Sequence, residues 1–467
     1  MKRFLLLLSS AALAQTPCES IRMPFVTAVE SLPTHCRVAV TLTPAADSII
    51  KAEVWLPVRW NGKFLGVGGG GFVGSINRNG LAAGVREGYA AASTDTGHEG
   101  GGTGFAIGHP EKVIDFAYRA VHEMTVAAKS LIVAHYGRAA RLAYWQGCST
   151  GGRQGLMSAL RYPEDFDGMI AGAPANNQIE LCGWRMDIMV AVLKDPARAL
   201  PAVKTALLND AVIAACDGID GVIDGLLDDP RKCSYDPAAL LCKNGDSDSC
   251  LTAGQLATVR MAYSDARRKD GSLIYPGLVR GGERGWLLPG AAKEPGSIDL
   301  GMFRDVSRQD PAWDWKTFDI ERDVAMAQEK AGFIEARDAD FSKFKARGGK
   351  LLIYHGWSDG GSGGAISPLN SIDYYGKIKP VGRDWVRLFM IPGMAHCGGG
   401  SGPNQFNALA AMERWREEGV APESIVAARV GNGVVDMTRP LCPYPKVAVY
   451  RGSGSVNDAA NFACKER

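Results

Sequence analysis

Short apolar segments alternate with helical segments at both ends of this 467-residue chain. Residues 63–67, 141–145 and 386–391 are short and apolar, as buried strands are. Between the first two, residues 111–136 carry apolar side chains at helical spacing and are followed by Gly137. Strands that alternate with helices form a mostly parallel sheet with helices on its faces. The sequence therefore predicts an α/β fold.

The middle of the chain breaks this alternation. From residue 177 to residue 346 the strand–helix pattern fades, and Asp, Gly, Trp and Cys become frequent. The pattern resumes at residues 350–356, which have the composition of a buried strand. Length alone would favour about three domains. The resumed pattern instead favours one sheet domain, residues 15–176 and 347–467, that carries residues 177–346 as an insertion.

The first 14 residues have the features of a secretory signal. Lys2 and Arg3 precede an apolar run that leads into Ala12-Leu13-Ala14, an A-x-A cleavage site. A membrane anchor is the weaker alternative, because a spanning helix needs about twenty apolar residues. We therefore expect a mature protein that begins at Gln15 and is secreted or periplasmic, where cysteines form disulfides.

The charge balance limits the classes of partner. Lys and Arg number 52 and Asp and Glu number 50, which gives a net charge of +2. Nucleic-acid-binding proteins and acidic disordered proteins need a much less even balance. After the signal, no segment has 18 uninterrupted apolar residues. We therefore expect a small-molecule partner, and neither nucleic acid nor a membrane.

Ser149 lies in a motif, Gly147-Cys148-Ser149-Thr150-Gly151, that matches G-x-S-x-G and stands after an apolar strand and before a helix. Glycines two positions on either side of the serine permit a strained turn that exposes its hydroxyl. The N–H of Thr150 then points at a developing oxyanion. The alternative is a plain glycine-rich turn. The motif favours a nucleophilic serine.

A nucleophilic serine needs a histidine base and an acid that orients this base. Only His355 and His396 follow the serine, as the α/β-hydrolase chain order requires of the base. His396 lies in a loop after the last strong strand, and Asp359 follows the preceding strand, so we interpret them as base and acid. His355 is the rival base, but it stands at a strand end four residues before Asp359 and is interpreted as structural. The upstream His98 and His122 are expected to brace loops or the core.

Two cysteines adjoin the proposed serine and histidine. Cys148 precedes Ser149, and Cys397 follows His396. If the serine and histidine meet, the Cα atoms of these cysteines can fall within the roughly 4.4–6.8 Å that a disulfide requires. The alternatives are that Cys148 is itself the nucleophile or that both are free buried thiols, and an oxidising compartment disfavours both. We predict a Cys148–Cys397 bond that joins the nucleophile loop to the base loop.

Residues 68–71 are four consecutive glycines that follow the strand at 63–67. An oxyanion hole needs a second backbone N–H from the loop after an early strand, and glycine supplies one without a side chain. A phosphate-binding loop is the weaker alternative, because no Gly-Lys-Ser/Thr follows. We expect Gly70 or Gly71 to be the donor.

An acidic loop follows Cys216. Asp217, Asp220 and Asp224 occupy positions 1, 4 and 8 of a glycine-rich segment. Hard oxygen ligands on a tight loop suit Ca²⁺, although the spacing differs from that of an EF-hand. The alternative is a solvated acidic turn. A disulfide between Cys216 and Cys233 would close the loop.

Several motifs spread along the chain are typical of one known family. They are residues 93–98 (Ser-Thr-Asp-Thr-Gly-His), 146–155 (Gln-Gly-Cys-Ser-Thr-Gly-Gly-Arg-Gln-Gly), 162–168 (Tyr-Pro-Glu-Asp-Phe-Asp-Gly), 171–175 (Ala-Gly-Ala-Pro-Ala), 355–359 (His-Gly-Trp-Ser-Asp) and 396–397 (His-Cys). In these motifs the chain resembles the secreted tannases and feruloyl esterases, which include mono(2-hydroxyethyl) terephthalate hydrolases. The resemblance implies an α/β-hydrolase fold whose insertion, residues 177–346, is a lid domain.

The resemblance also implies roles for particular residues. It implies a catalytic triad of Ser149, Asp359 and His396, with a disulfide between Cys148 and Cys397. It implies a structural Ca²⁺ in the lid, held by the side chains of Asp217, Asp220 and Asp224 and the carbonyls of Val222 and Leu226, and no organic cofactor. Together with proximity in the chain, it implies the disulfides Cys18–Cys36, Cys242–Cys250 and Cys442–Cys464, which leaves Cys182 unpaired.

The function predicted from these features is hydrolysis of esters of aromatic carboxylic acids through an acyl-enzyme. Feruloyl and other hydroxycinnamoyl esters are the expected substrates. The alternatives within the family are a tannase that acts on galloyl esters and a terephthalate monoester hydrolase. A catalytically inactive, calcium-dependent binding protein is the alternative of another class. Four tryptophans of the lid are candidates either for the wall of an aromatic pocket or for packing, namely Trp184, Trp286, Trp313 and Trp315.

Overall fold

The computed structural model of the protein describes residues 15–286, 292–360, 365–382 and 384–466, so the predicted signal lies outside the described residues. The strands are β1 (Val26–Ser31), β2 (His35–Leu42), β3 (Ile50–Pro57), β4 (Lys63–Val67), β5 (Ala90–Thr94), β6 (Leu142–Cys148), β7 (Gly168–Gly172), β8 (Ala266–Arg267), β9 (Leu273–Tyr275), β10 (Lys350–Gly356), β11 (Val386–Ile391), β12 (Ile425–Gly431), β13 (Val434–Leu441), β14 (Val447–Tyr450) and β15 (Phe462–Lys465). The helices are α1 (Arg78–Arg86), α2 (Pro110–Ile114), α3 (Ala120–Tyr136), α4 (Thr150–Arg161), α5 (Gln178–Lys194), α6 (Ala202–Cys216), α7 (Ala253–Tyr263), α8 (Ser297–Gly301), α9 (Ile320–Ala331), α10 (Ser342–Ala346), α11 (Pro368–Lys377) and α12 (Ala408–Glu418).

Nine strands form one sheet in the order β1-β2-β3-β5-β4-β6-β7-β10-β11. The pairs from β1 to β5 are antiparallel, and those from β5 through β11 are parallel. The α/β-hydrolase fold predicted from the sequence is confirmed. In parallel strands the carboxyl ends lie at one edge of the sheet, where ligands of such folds bind. The loops that follow β4, β6, β10 and β11 therefore come close together.

Both faces of the sheet are buried, which is why its parallel strands are almost wholly apolar. On one face, residues of α3, α4 and α11 pack against the strands, among them Met124, Leu156 and Tyr374. On the other face the cover comes from α1 and α12 and includes Leu81 and Trp415. The strands that lead into the site are thus held rigidly on both sides.

The segment predicted as a lid, residues 177–346, holds helices α5 to α10 and the short pair β8–β9. Its apolar side chains form a core of their own that also takes in Phe72 and Phe116 from the sheet domain. The lid therefore packs directly on loops beside the glycine run. One stretch within it, Pro196–Asp220, is apolar and long enough to cross a membrane by composition alone, a property that core helices of soluble proteins share. The domain boundaries themselves stay a prediction.

Candidate active site

Ser149 occupies the turn between β6 and α4. Its backbone has φ 62° and ψ −122°, a left-handed conformation that costs a non-glycine residue about 1–3 kcal/mol. The Ser149 N–H donates to the carbonyl of Gly172, at 2.9 Å, which ties the turn to the end of β7. Strain of this kind is typical of a nucleophile elbow, which holds a serine hydroxyl clear of the sheet.

The two glycines of the motif are required by close backbone packing. A Cβ on Gly147 would lie 2.5 Å from the carbonyl of Gly151, and one on Gly151 would lie 2.8 Å from the carbonyl oxygen of Gly69. Both separations are shorter than any real Cβ contact. The elbow, helix α4 and the glycine run can therefore approach this closely only because side chains are absent.

Asp359 and His396 are joined by a hydrogen bond of 2.7 Å between Oδ2 and Nδ1. The Asp359 carboxylate is fully buried, and the His396 side chain is 10% exposed. Ser149 and His396 both line a cavity of about 710 Å³. The structure thus brings the three predicted residues to one place, with His396 as the link between carboxylate and cavity. In the part of the chain that the structure describes, no hydrogen bond yet joins the Ser149 hydroxyl to His396, as is common before substrate binds.

His355, the rival base, is fully buried and contacts the carboxylate instead. Its Nε2 lies 3.0 Å from the same Asp359 oxygen that His396 contacts and 3.1 Å from the carbonyl of Ile366. Its Nδ1 lies 2.7 Å from the hydroxyl of Ser371. A carbonyl can only accept, so Nε2 carries the proton and donates to both oxygens. His355 is therefore a second donor to Asp359.

These two histidines govern the ionisation of Asp359. Burial opposes the charged carboxylate, but the hydrogen bonds from His355 and His396 outweigh it and lower the pKa of Asp359 below its usual value. A carboxylate with a lowered pKa stabilises the fold above its unfolded pKa, and that stabilisation is lost as the pH falls through the folded value. We therefore expect Asp359 to stay ionised well into the acidic range.

Replacing His355 with phenylalanine keeps a ring in this space and removes one donor. The pKa of Asp359 should then rise, so the fall of Tm on acidification should begin at a higher pH than in the wild type. His122→Phe is the matched control, because His122 also contacts a buried aspartate, Asp165, at 3.0 Å, but lies outside the cavity. Equal pH profiles of Tm in His355→Phe and the wild type would contradict the role assigned to His355.

The predicted bond between Cys148 and Cys397 is present, with a Cα–Cα distance of 6.0 Å. It joins the residue before the serine to the residue after the histidine, so Cys148 is not a free nucleophile. The other disulfides are Cys18–Cys36, Cys216–Cys233, Cys242–Cys250 and Cys442–Cys464, and Cys182 is a buried free thiol. Their pairing matches the one implied by the resemblance.

The expected oxyanion donors line the same cavity as the serine. Gly69, Gly70 and Gly71 form one wall of it, next to Cys148 and Ser149. Thr150, whose N–H is the other expected donor, is the first residue of α4, so this N–H has no partner within the helix. The arrangement leaves space for a carbonyl oxygen between two backbone segments.

The remaining histidines and tryptophans named from the sequence lie away from this cavity. His98 is buried, and its Nε2 lies 2.9 Å from the carbonyl of Phe72, so it braces the loop after the glycine run. Within the described chain, none of the four lid tryptophans lines the cavity. Three of them pack against aromatic rings: Trp184 on Tyr275, Trp286 on Tyr263 and Trp313 on Phe318.

The acidic loop is organised by its own backbone. Asp217 accepts the N–H of Gly225 at 3.0 Å, Asp220 that of Val222 at 2.9 Å and Asp224 that of Leu226 at 3.1 Å. Asp224 also pairs with the buried Arg439. Among the described residues, the only three acidic, histidine or cysteine ligand atoms within 4.8 Å of one another come from Cys242, Asp246 and Cys250, two of which form a disulfide. The donors are hard oxygens, which Ca²⁺ prefers, but the three carboxylates do not all lie within 4.8 Å of one another.

A second cavity of about 640 Å³ lies behind the glycine run, between α1 and α12. Lys63, Tyr89, Gln146 and Glu413 are among its lining residues, whereas Ser149 and His396 are not. Lys63 and Tyr89 both donate to Glu413, so these polar groups satisfy one another. The cavity at Ser149, which has a serine and a histidine, is therefore the candidate active site.

The chain is similar to known proteins over nearly its whole length. A family model for tannase and feruloyl esterase matches residues 36–465. A probable feruloyl esterase B-1 of Aspergillus flavus is 36% identical over 458 residues, which are 92% of this chain and 86% of the relative. An uncharacterized esterase of Xanthomonas campestris is 36% identical over 514 residues, which are 96% of this chain and 87% of the relative. The crystal structure of feruloyl esterase B from Aspergillus oryzae superposes with a TM-score of 0.89 at 31% identity and covers 96% of this chain and 99% of that one. The chain belongs to the tannase and feruloyl esterase family and is a carboxylic ester hydrolase.

Proposed function

We propose that the protein is a secreted serine esterase that hydrolyses esters of aromatic acids, foremost feruloyl and other hydroxycinnamoyl esters. The observation that carries the proposal is the convergence on one cavity of a strained serine and a histidine bonded to a buried aspartate. A serine hydroxyl is inert without a base, and an imidazole in this setting supplies one. Ser149, His396 and Asp359 are therefore the proposed triad.

The proposed reaction has two stages. His396 takes the Ser149 proton as Oγ attacks the ester carbonyl, while the buried Asp359 carboxylate stabilises the imidazolium. The tetrahedral oxyanion accepts hydrogen bonds from the N–H of Thr150 and from the N–H of Gly70 or Gly71. The intermediate collapses, the alcohol leaves with the proton from His396, and an acyl-enzyme remains. Water, activated by His396, then releases the aromatic acid.

The preference for feruloyl esters rests on the names of the relatives. The chain is 36% identical to a probable feruloyl esterase B-1. It has the same fold as a feruloyl esterase B of known structure, to which it is 31% identical. We expect kcat/KM to be highest for methyl ferulate in a panel that also holds methyl gallate and mono(2-hydroxyethyl) terephthalate. A highest value for methyl gallate would indicate a tannase, and one for the terephthalate ester a terephthalate monoester hydrolase.

Secretion is supported by the five disulfides, because such bonds persist in oxidising compartments. The sequence of the first 14 residues favours export through a cleaved signal. The exported protein should therefore begin at Gln15 when its N-terminus is sequenced. A mature chain that retains residues 1–14 would contradict this part of the proposal.

We also propose that the acidic loop binds a structural Ca²⁺ through Asp217, Asp220 and Asp224 and the carbonyls of Val222 and Leu226. The support is the donor chemistry and the way loop amides hold each carboxylate. The ion would hold the lid loop closed, and the loop lies outside the cavity of Ser149.

Removal of calcium should destabilise the protein. Free Ca²⁺ at about 100 times its Kd raises the free energy of unfolding by about 2.7 kcal/mol. Chelation should therefore lower the Tm by about 3 °C in a chain of this size. Asp217→Asn should abolish the calcium dependence of Tm and the heat of calcium binding. Asp248→Asn, an exposed change in the same lid, should keep both. Equal Tm values with calcium and with chelator would contradict the site.

A further inference from the structure

Within the glycine run of residues 68–71, Gly68 packs closely against Gly147 and Gly151, whereas the residues after it have little packing of their own. A Cβ on Gly69 or Gly70 would meet no atom within 4 Å, and Gly71 has a φ of 53° that other residues rarely adopt. Glycine backbones have wide conformational freedom. A loop of this composition therefore does not hold a backbone N–H in one place unless other groups fix it.

Two side chains of α4 fix the loop through hydrogen bonds. Gln154 Oε1 accepts the N–H of Gly69 at 3.1 Å, and the Thr150 hydroxyl donates to the carbonyl of Gly71 at 3.0 Å. Because an N–H can only donate, the amide of Gln154 must present its oxygen to the loop. Thr150 and Gln154 are four positions apart on a helix, so they lie one turn apart on the same face. Both are 2% exposed.

The two bonds lie on either side of Gly70. The N–H of Gly68 donates to the carbonyl of Gln146, and that of Gly69 is taken by Gln154. Within the described chain, the N–H groups of Gly70 and Gly71 donate to no protein group. These two residues also line the cavity of Ser149. The arrangement removes Gly69 as a donor and leaves Gly70 and Gly71.

We propose that the side chains of Gln154 and Thr150 are positioning residues of the oxyanion hole. Together they set the register of the glycine run, so that a free N–H of Gly70 or Gly71 stands opposite the N–H of Thr150. Thr150 thus has two roles in the oxyanion hole: its backbone N–H is a donor, and its hydroxyl holds the glycine run. This inference rests on the proposed function, because the hole has a role only if Ser149 is acylated.

A residue that positions the hole acts on the transition state more than on the bound substrate, because the oxyanion forms only during reaction. Loss of either bond should lower kcat and leave KM unchanged. Simple packing residues would behave otherwise, since their loss would alter stability or substrate affinity without a selective effect on the tetrahedral state.

The test uses three variants. Thr150→Val and Gln154→Met remove the hydrogen bond at similar volume, whereas Thr150→Ser retains the donor. For each, kcat and KM are measured with methyl ferulate. Inhibition is measured with phenylboronic acid, which forms a tetrahedral adduct on serine, and with coniferyl alcohol, which has the aromatic group but no carbonyl.

We expect Thr150→Val and Gln154→Met each to lower kcat about tenfold and to weaken the binding of phenylboronic acid by the same factor. Displaced N–H donors stabilise the oxyanion and the tetrahedral adduct less well. KM and the inhibition constant of coniferyl alcohol should stay within about twofold, and Thr150→Ser should keep most of the activity. The double variant should lose less than the product of the single losses, because both bonds hold one loop. If one variant does not fold, the other carries the test.

Wild-type kcat and phenylboronic acid affinity in Gln154→Met and Thr150→Val would overturn the inference. A change in KM and in the affinity for coniferyl alcohol, with unchanged binding of phenylboronic acid, would also overturn the inference. That pattern would indicate that the two side chains only pack against their neighbours. Ser149→Ala distinguishes failure of the proposed function from failure of the positioning role. If this variant retains turnover, the proposed function fails; if it is inactive while Gln154→Met is fully active, only the positioning role fails.

Discussion

Ser149→Ala should lower kcat for methyl ferulate by about 10⁴-fold or more, the scale on which removal of a catalytic serine acts in other hydrolases. The loss should be confined to chemistry. Alanine tolerates the backbone of an elbow at φ 62° about as well as serine does, so the Tm should change little. Substrate should still bind, because the cavity and the glycine wall are intact.

The matched control for this variant is Ser158→Ala. Ser158 lies in α4, the helix that follows the elbow, and is buried. It is not among the residues that line the cavity of Ser149. It should keep near wild-type turnover. Retained turnover in Ser149→Ala, at a level well above that of the uncatalysed reaction, would refute the assignment of the nucleophile.

The second large effect is expected from the Cys148–Cys397 bond. Replacing both cysteines with serine opens a loop of 249 residues, and a cross-link over such a loop stabilises a protein by about 5 kcal/mol in the chain-entropy account. Activity should fall too, because the bond fixes the serine turn relative to the histidine loop. A displacement of about 1 Å between reacting groups costs about 10²-fold.

Cys242→Ser with Cys250→Ser is the control for this prediction. That bond spans 8 residues within the lid, so its loss should cost about 2.5 kcal/mol and leave kcat unchanged. Both double variants should be assayed at a temperature at which each is folded. Equal kcat values for the Cys148/Cys397 variant and the wild type would show that the bond serves stability alone.

Local pattern was sufficient to predict the strands that lead into the site. The apolar runs at 63–67, 350–356 and 386–391 coincide with β4, β10 and β11, and the strand before the serine extends to Cys148 as β6. Each is short, apolar and buried on both faces, so its signal does not depend on distant residues. Ser149, Asp359 and His396 were identifiable because each follows one of these strands.

Other elements gave no such signal. β7 is Gly-Met-Ile-Ala-Gly, too short and glycine-rich to be distinguished from a turn, although it is a central strand. The pairs β12–β13 and β14–β15 near the C-terminus carry exposed side chains and weak periodicity. Helix α5 of the lid is buried around most of its surface in a separate core, which removes the amphipathic pattern of a surface helix.

The support of the site depends on contacts between distant residues. Gln154 contacts Gly69 across 85 positions, and no local pattern distinguishes it from the other polar residues of α4. His355 was placed at a strand end from the sequence, but its hydrogen bond to the oxygen that His396 shares is visible only in three dimensions. Disulfide pairing likewise cannot follow from spacing alone. Cys148–Cys397 was predicted from the placement of its cysteines beside the serine and histidine, whereas Cys18–Cys36, Cys242–Cys250 and Cys442–Cys464 came from proximity in the chain and the resemblance.

We expect the acyl group of an aromatic ester to be transferred to Ser149 during the reaction. The measurement is an acid quench of the enzyme mixed with excess p-nitrophenyl ferulate, followed by proteolysis and mass spectrometry of the peptide that contains the elbow. The wild-type protein should carry one feruloyl group on Ser149, formed in step with a burst of p-nitrophenol, and Ser149→Ala should carry none. A feruloyl group on another residue, or turnover without any acylated peptide, would contradict it.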